Sequence, residues 1–91
     1  MIDANRYELI IAPAARRQLS EALPEAVAFA AHEFVTGALL HNPHQVGKQL
    51  RLPLDDRYSG RRGTYRVIYR IDDDKRVVTV MTVAARREVY R

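Results

Sequence analysis

Hydrophobic positions in the first half of the chain predict one short strand and then two helices. Tyr7 to Ile11 is a run of β-favouring residues that stops at a proline suited to the first turn of a helix. Apolar residues then recur at helical spacing from Pro13 to Leu23 and, after a second proline, from Val27 to Leu39. The second helix should end between Leu40 and Asn42, because the residue before the next proline disfavours helical geometry. We expect the two helices to form an antiparallel hairpin.

Residues 42–63 predict loops with one short strand, and a β-hairpin follows them. This region is interrupted by prolines and glycines, but Lys48 to Leu54 alternates polar and apolar residues as an edge strand does. The runs Thr64 to Ile71 and Arg76 to Val83 are rich in β-branched and aromatic residues. The acidic segment Asp72 to Lys75 between them is typical of a turn, so the two runs should pair antiparallel.

Alternation along this hairpin separates an apolar face from a basic one. With the turn centred on residues 73–74, we expect the opposite pairs Arg66 with Met81, Ile68 with Thr79, and Arg70 with Val77. The other face should pack on the helices, and it carries Tyr65, Val67, Tyr69, Val78, Val80 and Thr82. The predicted fold is α+β, with an N-terminal strand, a helical hairpin and a small antiparallel sheet.

Length and composition leave room for one globular domain, residues 1–91. The chain has 91 residues, of which 47% are hydrophobic and 29% charged. It contains no cysteine, which excludes disulfides, thiolate metal sites and a cysteine nucleophile. It also lacks an apolar run of the ~20 residues that a membrane span needs, a glycine-rich phosphate loop and a nucleophile elbow. We expect a protein that neither spans a membrane nor carries a secretion signal.

Positive charge is concentrated in the last third of the chain. The net charge is +4, but residues 1–56 hold five basic and seven acidic side chains, whereas residues 57–91 hold ten basic and four acidic ones. Nine of those ten are arginines, whose planar guanidinium pairs with a phosphate or stacks on a base. Nucleic acid is therefore the leading candidate partner, and an acidic protein or a merely solvated basic surface is the alternative.

The order of short motifs along the chain resembles the RelE/ParE superfamily of bacterial toxins. The segment RRGTYRVIYRID at residues 61–72 precedes a valine-rich strand and the C-terminal segment ARREVYR at residues 85–91. The opening YELII strand, the APAARRQL helix start and the NPH and GKQL motifs follow the order found in RelE-type members. Each motif alone is weakly specific, whereas their order through the whole chain is specific.

This resemblance implies a cytoplasmic toxin of a type II toxin–antitoxin pair that needs no cofactor. RelE-type members are expected to cut messenger RNA on the ribosome by attack of the RNA's own 2′-hydroxyl, without a metal ion. The implied partners are that message and a RelB-like cognate antitoxin, which drapes a helix or strand over the toxin. The toxin–antitoxin complex is expected to be oligomeric and to bind DNA through the antitoxin, with no role for a membrane.

The resemblance also implies which residues form the site. Arg66 and Arg86 match catalytic arginines, whose guanidinium groups suit the charge that builds on phosphate oxygens. Tyr90 matches the family's C-terminal tyrosine, which could stack on a base or take part in proton transfer. A straight strand would put Arg86 on the face opposite Arg66, so a bulge or turn near residues 84–85 is expected. The candidate RNA-binding residues are Arg57, Arg61, Arg62 and Arg87.

Two positions depart from the family pattern. Ser59 stands where the best-known RelE members carry a second basic residue, and Ala85 stands where many relatives have a histidine. Since arginine is almost always protonated, either Tyr90 or a ribosomal group serves as the proton acceptor, or turnover is slow.

Two other functions stay open, together with simpler roles for single residues. A ParE-like toxin would bind DNA gyrase without enzymatic activity, and an inactive toxin would survive only as the partner of an antitoxin. Arg66 and Arg70 could be ordinary solvent-facing positions of the hairpin. Arg86, Arg87 and Arg91 could form a basic tail.

The aromatic and histidine residues of the chain are interpreted as structural. Tyr65 and Tyr69 have the parity of the interior face, which favours packing over base stacking. His32, His41 and His44 have no carboxylate or cysteine at the spacing that would complete a ligand set. We therefore predict no metal site and expect these histidines at the surface.

Overall fold

The fold is a five-stranded sheet with helices packed on one face. The structure, a computed structural model, describes residues 6–85. Its strands are β1 (Glu8–Ile11), β2 (Lys48–Gln49), β3 (Tyr58–Arg62), β4 (Tyr65–Asp72) and β5 (Val77–Ala85). Its helices are α1 (Pro13–Arg17), which continues as a π-helical segment over Gln18–Ala22, then α2 (Glu25–Thr36) and α3 (Ala38–His41). The predicted α+β class is confirmed. No helix within residues 6–85 combines the length and hydropathy needed to cross a bilayer.

The sheet is mixed, not purely antiparallel as predicted. Its strand order is β1-β5-β4-β3-β2, and β1 runs parallel to β5 from the pair Glu8 with Val77 to the pair Ile11 with Val80. The other neighbouring strands pair antiparallel. The parallel pairing of β1 with β5 is possible because a long stretch of chain connects them. A short hairpin can join only antiparallel strands.

The predicted helical hairpin is confirmed with one interruption. Helical structure begins at Pro13 and, after the break before Glu25, ends at His41, within the predicted range. Gly37 separates α2 from α3, and its N–H donates to the carbonyl of Phe34, three residues back, instead of the carbonyl four residues back.

The strand predicted over Lys48 to Leu54 is wrong in length, and β3 has no counterpart in the prediction. Only residues 48–49 pair as a strand, because Leu50 N donates to Arg57 O at 2.9 Å and closes the intervening residues into a loop. Pro53 inside that loop has no N–H to offer a ladder. β3 forms although its sequence is polar, since five residue pairs with β4 outweigh its weak local preference.

The predicted register of the β4–β5 hairpin is also wrong. Arg66 lies opposite Ala84, Ile68 opposite Thr82, and Arg70 opposite Thr79. The turn is longer than expected, because Asp72 pairs with Val77 and Arg76 adopts a left-handed conformation at φ 57°. A bulge then leaves Met81 without a partner between the pairs of Ile68 and Tyr69, so the two errors add.

Along β4, the residues that pack on the helices are those that the alternation predicts. Tyr65, Val67 and Tyr69 are all buried, and the inner face of β5 carries Val78 and Val80 as expected. Because of the bulge, Val83 takes the inward place that alternation assigned to Thr82. These side chains form one core with residues of the helices, among them Ala15, Ala31, Phe34, Val35, Leu39 and Leu40.

Tyr69 fixes the loop of residues 42–47 to this core. Its ring is fully buried, and its hydroxyl donates to the carbonyl oxygen of Pro43 at 2.6 Å. Gly47 lies against the same hydroxyl, so a Cβ at that position would clash with Tyr69 Oη and with the carbonyl oxygen of Ser59. Burial raises the pKa of Tyr69 to about 12. The loop is thus packed against the sheet at two points.

We predict that Tyr69→Phe lowers the free energy of unfolding by about 1–3 kcal/mol, because the Pro43 carbonyl loses its partner in a buried place. The contribution of Tyr69 to stability should be fully present below pH 10 and be lost as the pH rises toward about 12, since in that range this phenol ionises only in the unfolded state. Tyr69→Phe should make that loss shallower by about 1.4 kcal/mol per pH unit. Denaturant unfolding at several alkaline pH values measures both effects, and an identical slope in the two proteins would contradict the assignment.

Candidate nucleic-acid interface

The sheet face away from the helices carries arginines on the neighbouring strands β3 and β4. Since Tyr65, Val67 and Tyr69 point inward, the alternate residues of β4, including Arg66 and Arg70, point to the other side. We call this side the outer face. Pairing across β3 places Arg61 opposite Arg66 and Ser59 opposite Ile68 on the same face.

A cleft of about 600 Å³ lies between these strands and the loop that leads into β2. We call it the basic cleft, because the lining residues within 6–85 include four cations and no carboxylate. The cations are Lys48, Arg51, Arg61 and Arg66. Its other lining residues are Gln45, Val46, Gly47, Gln49, Leu50 and Ser59. One wall, which we call the strand wall, is therefore the outer face of β3 and β4. The other, which we call the loop wall, is the chain from residue 45 to residue 51.

Arg61 and Arg66 are direct neighbours across the paired strands β3 and β4. Like charges directly opposite each other in an antiparallel pair destabilise the sheet. Neither guanidinium forms an ion pair within residues 6–85. Two uncompensated arginines in one cleft favour an anionic ligand, because such a ligand would supply the missing charge.

Arg57 and Arg70 are positioned differently. Asp56 lies between them, with Oδ1 3.7 Å from Nε of Arg57 and Oδ2 3.5 Å from Nε of Arg70. Neither arginine lines the basic cleft. The structure therefore does not bring Arg57 together with Arg61 and Arg66, and the charge at this end of the hairpin is partly compensated.

Arg62 lies on the helix side of the sheet. Its guanidinium sits 4.6 Å from the centroid of the Phe34 ring, which is a cation–π geometry. The neighbouring buried ring, Tyr65, donates its hydroxyl to the carbonyl of Ala30 at 3.2 Å. Arg62 thus covers the edge of the core and does not join the arginines of the cleft.

Arg86, Arg87 and Tyr90 lie outside the described residues, which end at Ala85. Of the bulge or turn expected near residues 84–85, nothing is seen up to Ala85, since Ala84 and Ala85 pair regularly with Arg66 and Tyr65, and any turn beyond Ala85 lies outside the described residues. The irregularity occurs earlier, at Met81, where one extra residue of β5 lies between the partners of Ile68 and Tyr69. As a result Ala84, and not Met81, is the neighbour of Arg66 across the strands.

Sequence reasoning missed the residues of the loop wall. Lys48 and Arg51 belong to the stretch interpreted as an edge strand, whereas they line the cleft together with Gln45 and Gln49. The available signal was two cations spaced three residues apart in a segment with little acidic charge before Asp55. In the sequence alone that signal is weak, because only the fold shows that the segment lies beside Arg66.

The cleft can bind and polarise a phosphodiester, but its described residues supply no general base. Its side chains are cationic, amide, hydroxyl or apolar, and Ser59 is a neutral hydroxyl. No group of three or more histidine, cysteine or carboxylate residues that could hold a metal ion occurs within residues 6–85. His44 is engaged elsewhere, with Asp73 at 2.9 Å. The arrangement therefore suits charge stabilisation at a phosphate.

The chain is similar to known bacterial toxins along nearly its whole length. Residues 9–90 match the family described as ParE toxin of type II toxin-antitoxin system, parDE. "Toxin RelE" of Mycobacterium tuberculosis is 46% identical over 91 residues, which are 100% of this chain and 93% of that protein. "Toxin RelG" of the same organism is 42% identical over 85 residues, covering 93% of this chain and 97% of that protein.

A solved structure shows the same fold. One chain of the RelBE2 toxin–antitoxin complex from Mycobacterium tuberculosis superimposes with a TM-score of 0.85 at 42% identity, covering 89% of this chain and 99% of that chain.

We predict that Arg66→Ala reduces the salt dependence of binding to a single-stranded RNA oligonucleotide, lowering the slope of log K against log salt by about 1. Arg70→Ala is the matched control, because it removes the same charge from the same face of the same strand. Its effect should be smaller, since Asp56 already compensates that guanidinium. Equal slopes for the two variants in fluorescence-anisotropy titrations would contradict a ligand site at Arg66.

Proposed function

The chain belongs to the ParE toxin family of type II toxin–antitoxin systems, and we propose that this toxin is an endoribonuclease that cleaves messenger RNA on the ribosome. The resemblance to the RelE/ParE superfamily is confirmed, and the relatives described above carry RelE-type names. One observation carries the proposal: an open basic cleft whose facing arginines, Arg61 and Arg66, have no counter-charge within residues 6–85.

The proposed reaction uses the 2′-hydroxyl of the RNA as nucleophile. A bond forms between O2′ and phosphorus while the bond from phosphorus to O5′ breaks, giving a 2′,3′-cyclic phosphate and a 5′-hydroxyl. One proton leaves the 2′-hydroxyl for an acceptor, and one is donated to the departing O5′. Negative charge grows on the non-bridging oxygens during this exchange, and guanidinium groups held beside them stabilise it without a metal ion.

Arg66 is proposed as the residue that contacts the reacting phosphate, with Arg61, Lys48 and Arg51 holding the RNA backbone around it. This division is supported by position, since Arg66 lies on β4, the middle strand of the sheet, and the other three line the same cleft. Arg57 and Arg62 are placed elsewhere in the fold and are not assigned a role in the cleft.

Arg86, Arg87 and Tyr90 are proposed to complete the site from the C-terminal segment. The register supports this, because β5 runs antiparallel past Arg66 at Ala84 and is still paired at Ala85, one residue before Arg86. Arg86 would share the charge on the phosphate and Arg87 would bind the backbone. Tyr90 would stack on a base or transfer a proton, and the proton acceptor is either this phenol or a ribosomal group.

A cognate antitoxin is proposed as the second partner. The similar chain of known structure was solved in a toxin–antitoxin complex. A basic cleft that accepts RNA would also accept acidic side chains, so an antitoxin could neutralise the toxin by covering the same cations.

The alternative is a toxin that binds DNA gyrase without enzymatic activity. The description of the matching family favours it, since that family is defined by ParE. The basic cleft would then be a protein-binding surface, and intact messenger RNA would accompany loss of supercoiling.

We predict that purified ribosomes loaded with a message show codon-linked cuts when this protein is added, and that Arg66→Ala slows cleavage by about 10²–10³-fold. Loss of one preorganised donor to the transition-state charge is the physical reason. Primer extension locates the cuts, and Arg70→Ala should retain most of the activity. Supercoiling inhibition with uncut message would instead establish the gyrase alternative.

We predict that expression of the chain alone arrests growth, and that co-expression of its cognate antitoxin, expected to be encoded by the adjoining gene, restores growth. Arg66→Ala should abolish the arrest while still forming a complex with the antitoxin, because one truncated side chain leaves most of an interface intact. Colony counts and co-purification measure the two effects. Normal growth with the unmodified chain alone would identify it as an inactive toxin.

A further inference from the structure

A bridge between His44 and Asp73 joins the loop after α3 to the turn between β4 and β5. Nε2 of His44 lies 2.9 Å from Oδ1 and 3.0 Å from Oδ2 of Asp73. We call this contact the His44–Asp73 bridge. Both side chains are about half exposed, and an isolated ion pair in such a place contributes little to stability. What the bridge can contribute is the placement of the two segments that it joins.

The bridge is part of a longer hydrogen-bonded chain of side chains. The hydroxyl of Tyr7 donates to Oδ1 of Asp73 at 2.5 Å, and the hydroxyl of Tyr58 lies 3.3 Å from Nδ1 of His44. The rings of His44 and Tyr58 also meet edge to face, with centroids 5.6 Å apart. These bonds, first that of Tyr7 and then that of His44, lower the pKa of Asp73. The carboxylate therefore stays charged and keeps accepting from both partners.

Both ends of the contact between His44 and Tyr58 adjoin the basic cleft. His44 precedes Gln45, the first residue of the loop wall, and Tyr58 precedes Ser59 on the strand wall. Tyr58 stacks on Tyr69, whose hydroxyl holds the same loop through Pro43. His44 thus ties the loop wall to β3 directly and to the β4–β5 turn through the bridge.

On the basis of the proposed function, we propose that His44 and Asp73 are positioning residues for RNA cleavage. The His44–Asp73 bridge holds the loop wall at the distance from β4 at which Lys48 and Arg66 engage the same stretch of RNA backbone. Neither residue lines the cleft, so neither contacts the reacting phosphate. They act through the placement of the loop.

A positioning role predicts that removal of the bridge changes the affinity for RNA and the rate of cleavage to different extents. Attraction between cations and the phosphate backbone is long-ranged and tolerates a displaced loop. Transition-state stabilisation does not, since a misplacement of about 1 Å can cost about 10²-fold in rate. If the bridge only stabilised the fold, its removal would lower the folded fraction and would leave the kcat of each folded molecule unchanged.

The kinetic test compares His44→Ala and Asp73→Ala with the unmodified protein in the ribosome assay. We expect kcat per folded molecule to fall by about 10–100-fold while KM changes by less than about threefold. His44→Gln should restore most of kcat, because its amide can donate to Asp73. The double variant His44→Ala with Asp73→Ala should be no slower than either single variant. Asp74→Asn is the matched control, because it changes the neighbouring carboxylate of the same turn, and it should behave as the unmodified protein.

A second measurement reports the loop without relying on cleavage. Amide hydrogen exchange should accelerate about tenfold at Gln45 and Val46 in His44→Ala, since both amides donate to Asn42 O within the held loop. Exchange in β4 should stay unchanged, which shows that the variant remains folded. If His44→Ala fails to fold, Asp73→Ala gives the same comparison from the other end of the bridge, and Asp73→Asn gives it with a milder change.

The outcomes separate this inference from the proposed function. Unchanged loop exchange in His44→Ala overturns the positioning role, whatever the cleavage data show. Faster exchange with unaltered kcat also overturns it, because the loop would then move without consequence. If the unmodified protein cuts no message while Arg66→Ala still weakens RNA binding, the proposed endonuclease fails. The bridge is then no positioning device for catalysis, although exchange still shows whether it holds the loop.

Discussion

Period-two alternation along β4 is the constraint on which the rest of this small fold depends. Tyr65, Val67 and Tyr69 must be buried for the sheet to pack on its helices, and that requirement forces Arg66 to the outer face. The buried side also builds the second wall of the cleft, because the hydroxyl of Tyr69 anchors the carbonyl of Pro43. A slip of one residue would therefore lose the core and the cleft together.

Within the outer face, charge compensation and not charge itself distinguishes one arginine from another. Arg66 and Arg70 occupy equivalent positions on one strand, yet Asp56 lies 3.5 Å from Arg70, whereas Arg66 faces Arg61. The second arrangement costs folding free energy unless an anion is bound, since like charges across a ladder repel. A pattern that opposes folding is more informative about function than the net charge of the chain.

The sequence predicts what local periodicity determines and misses what distant pairing determines. The inward parity of β4 follows from repeating apolar positions, the end of α3 at His41 follows from the proline just beyond it, and both are observed. The register does not follow, because it depends on the left-handed Arg76 and the unpaired Met81. Arg61 and Arg66 could be proposed from family resemblance, whereas Lys48 joins them only through a loop closed by long-range bonds.

The bulge at Met81 shows why the register matters for the site. Without it, alternation would carry the inner face of β5 on to Thr82 and leave Val83 outside, so an apolar side chain would be exposed and a polar one buried. The bulge lets valine fill the core at position 83 and sets Ala84 beside Arg66. A methyl group there cannot compete with a phosphate for the guanidinium, nor cover it. The same irregularity that completes the core therefore keeps the central arginine of the cleft open on its β5 side.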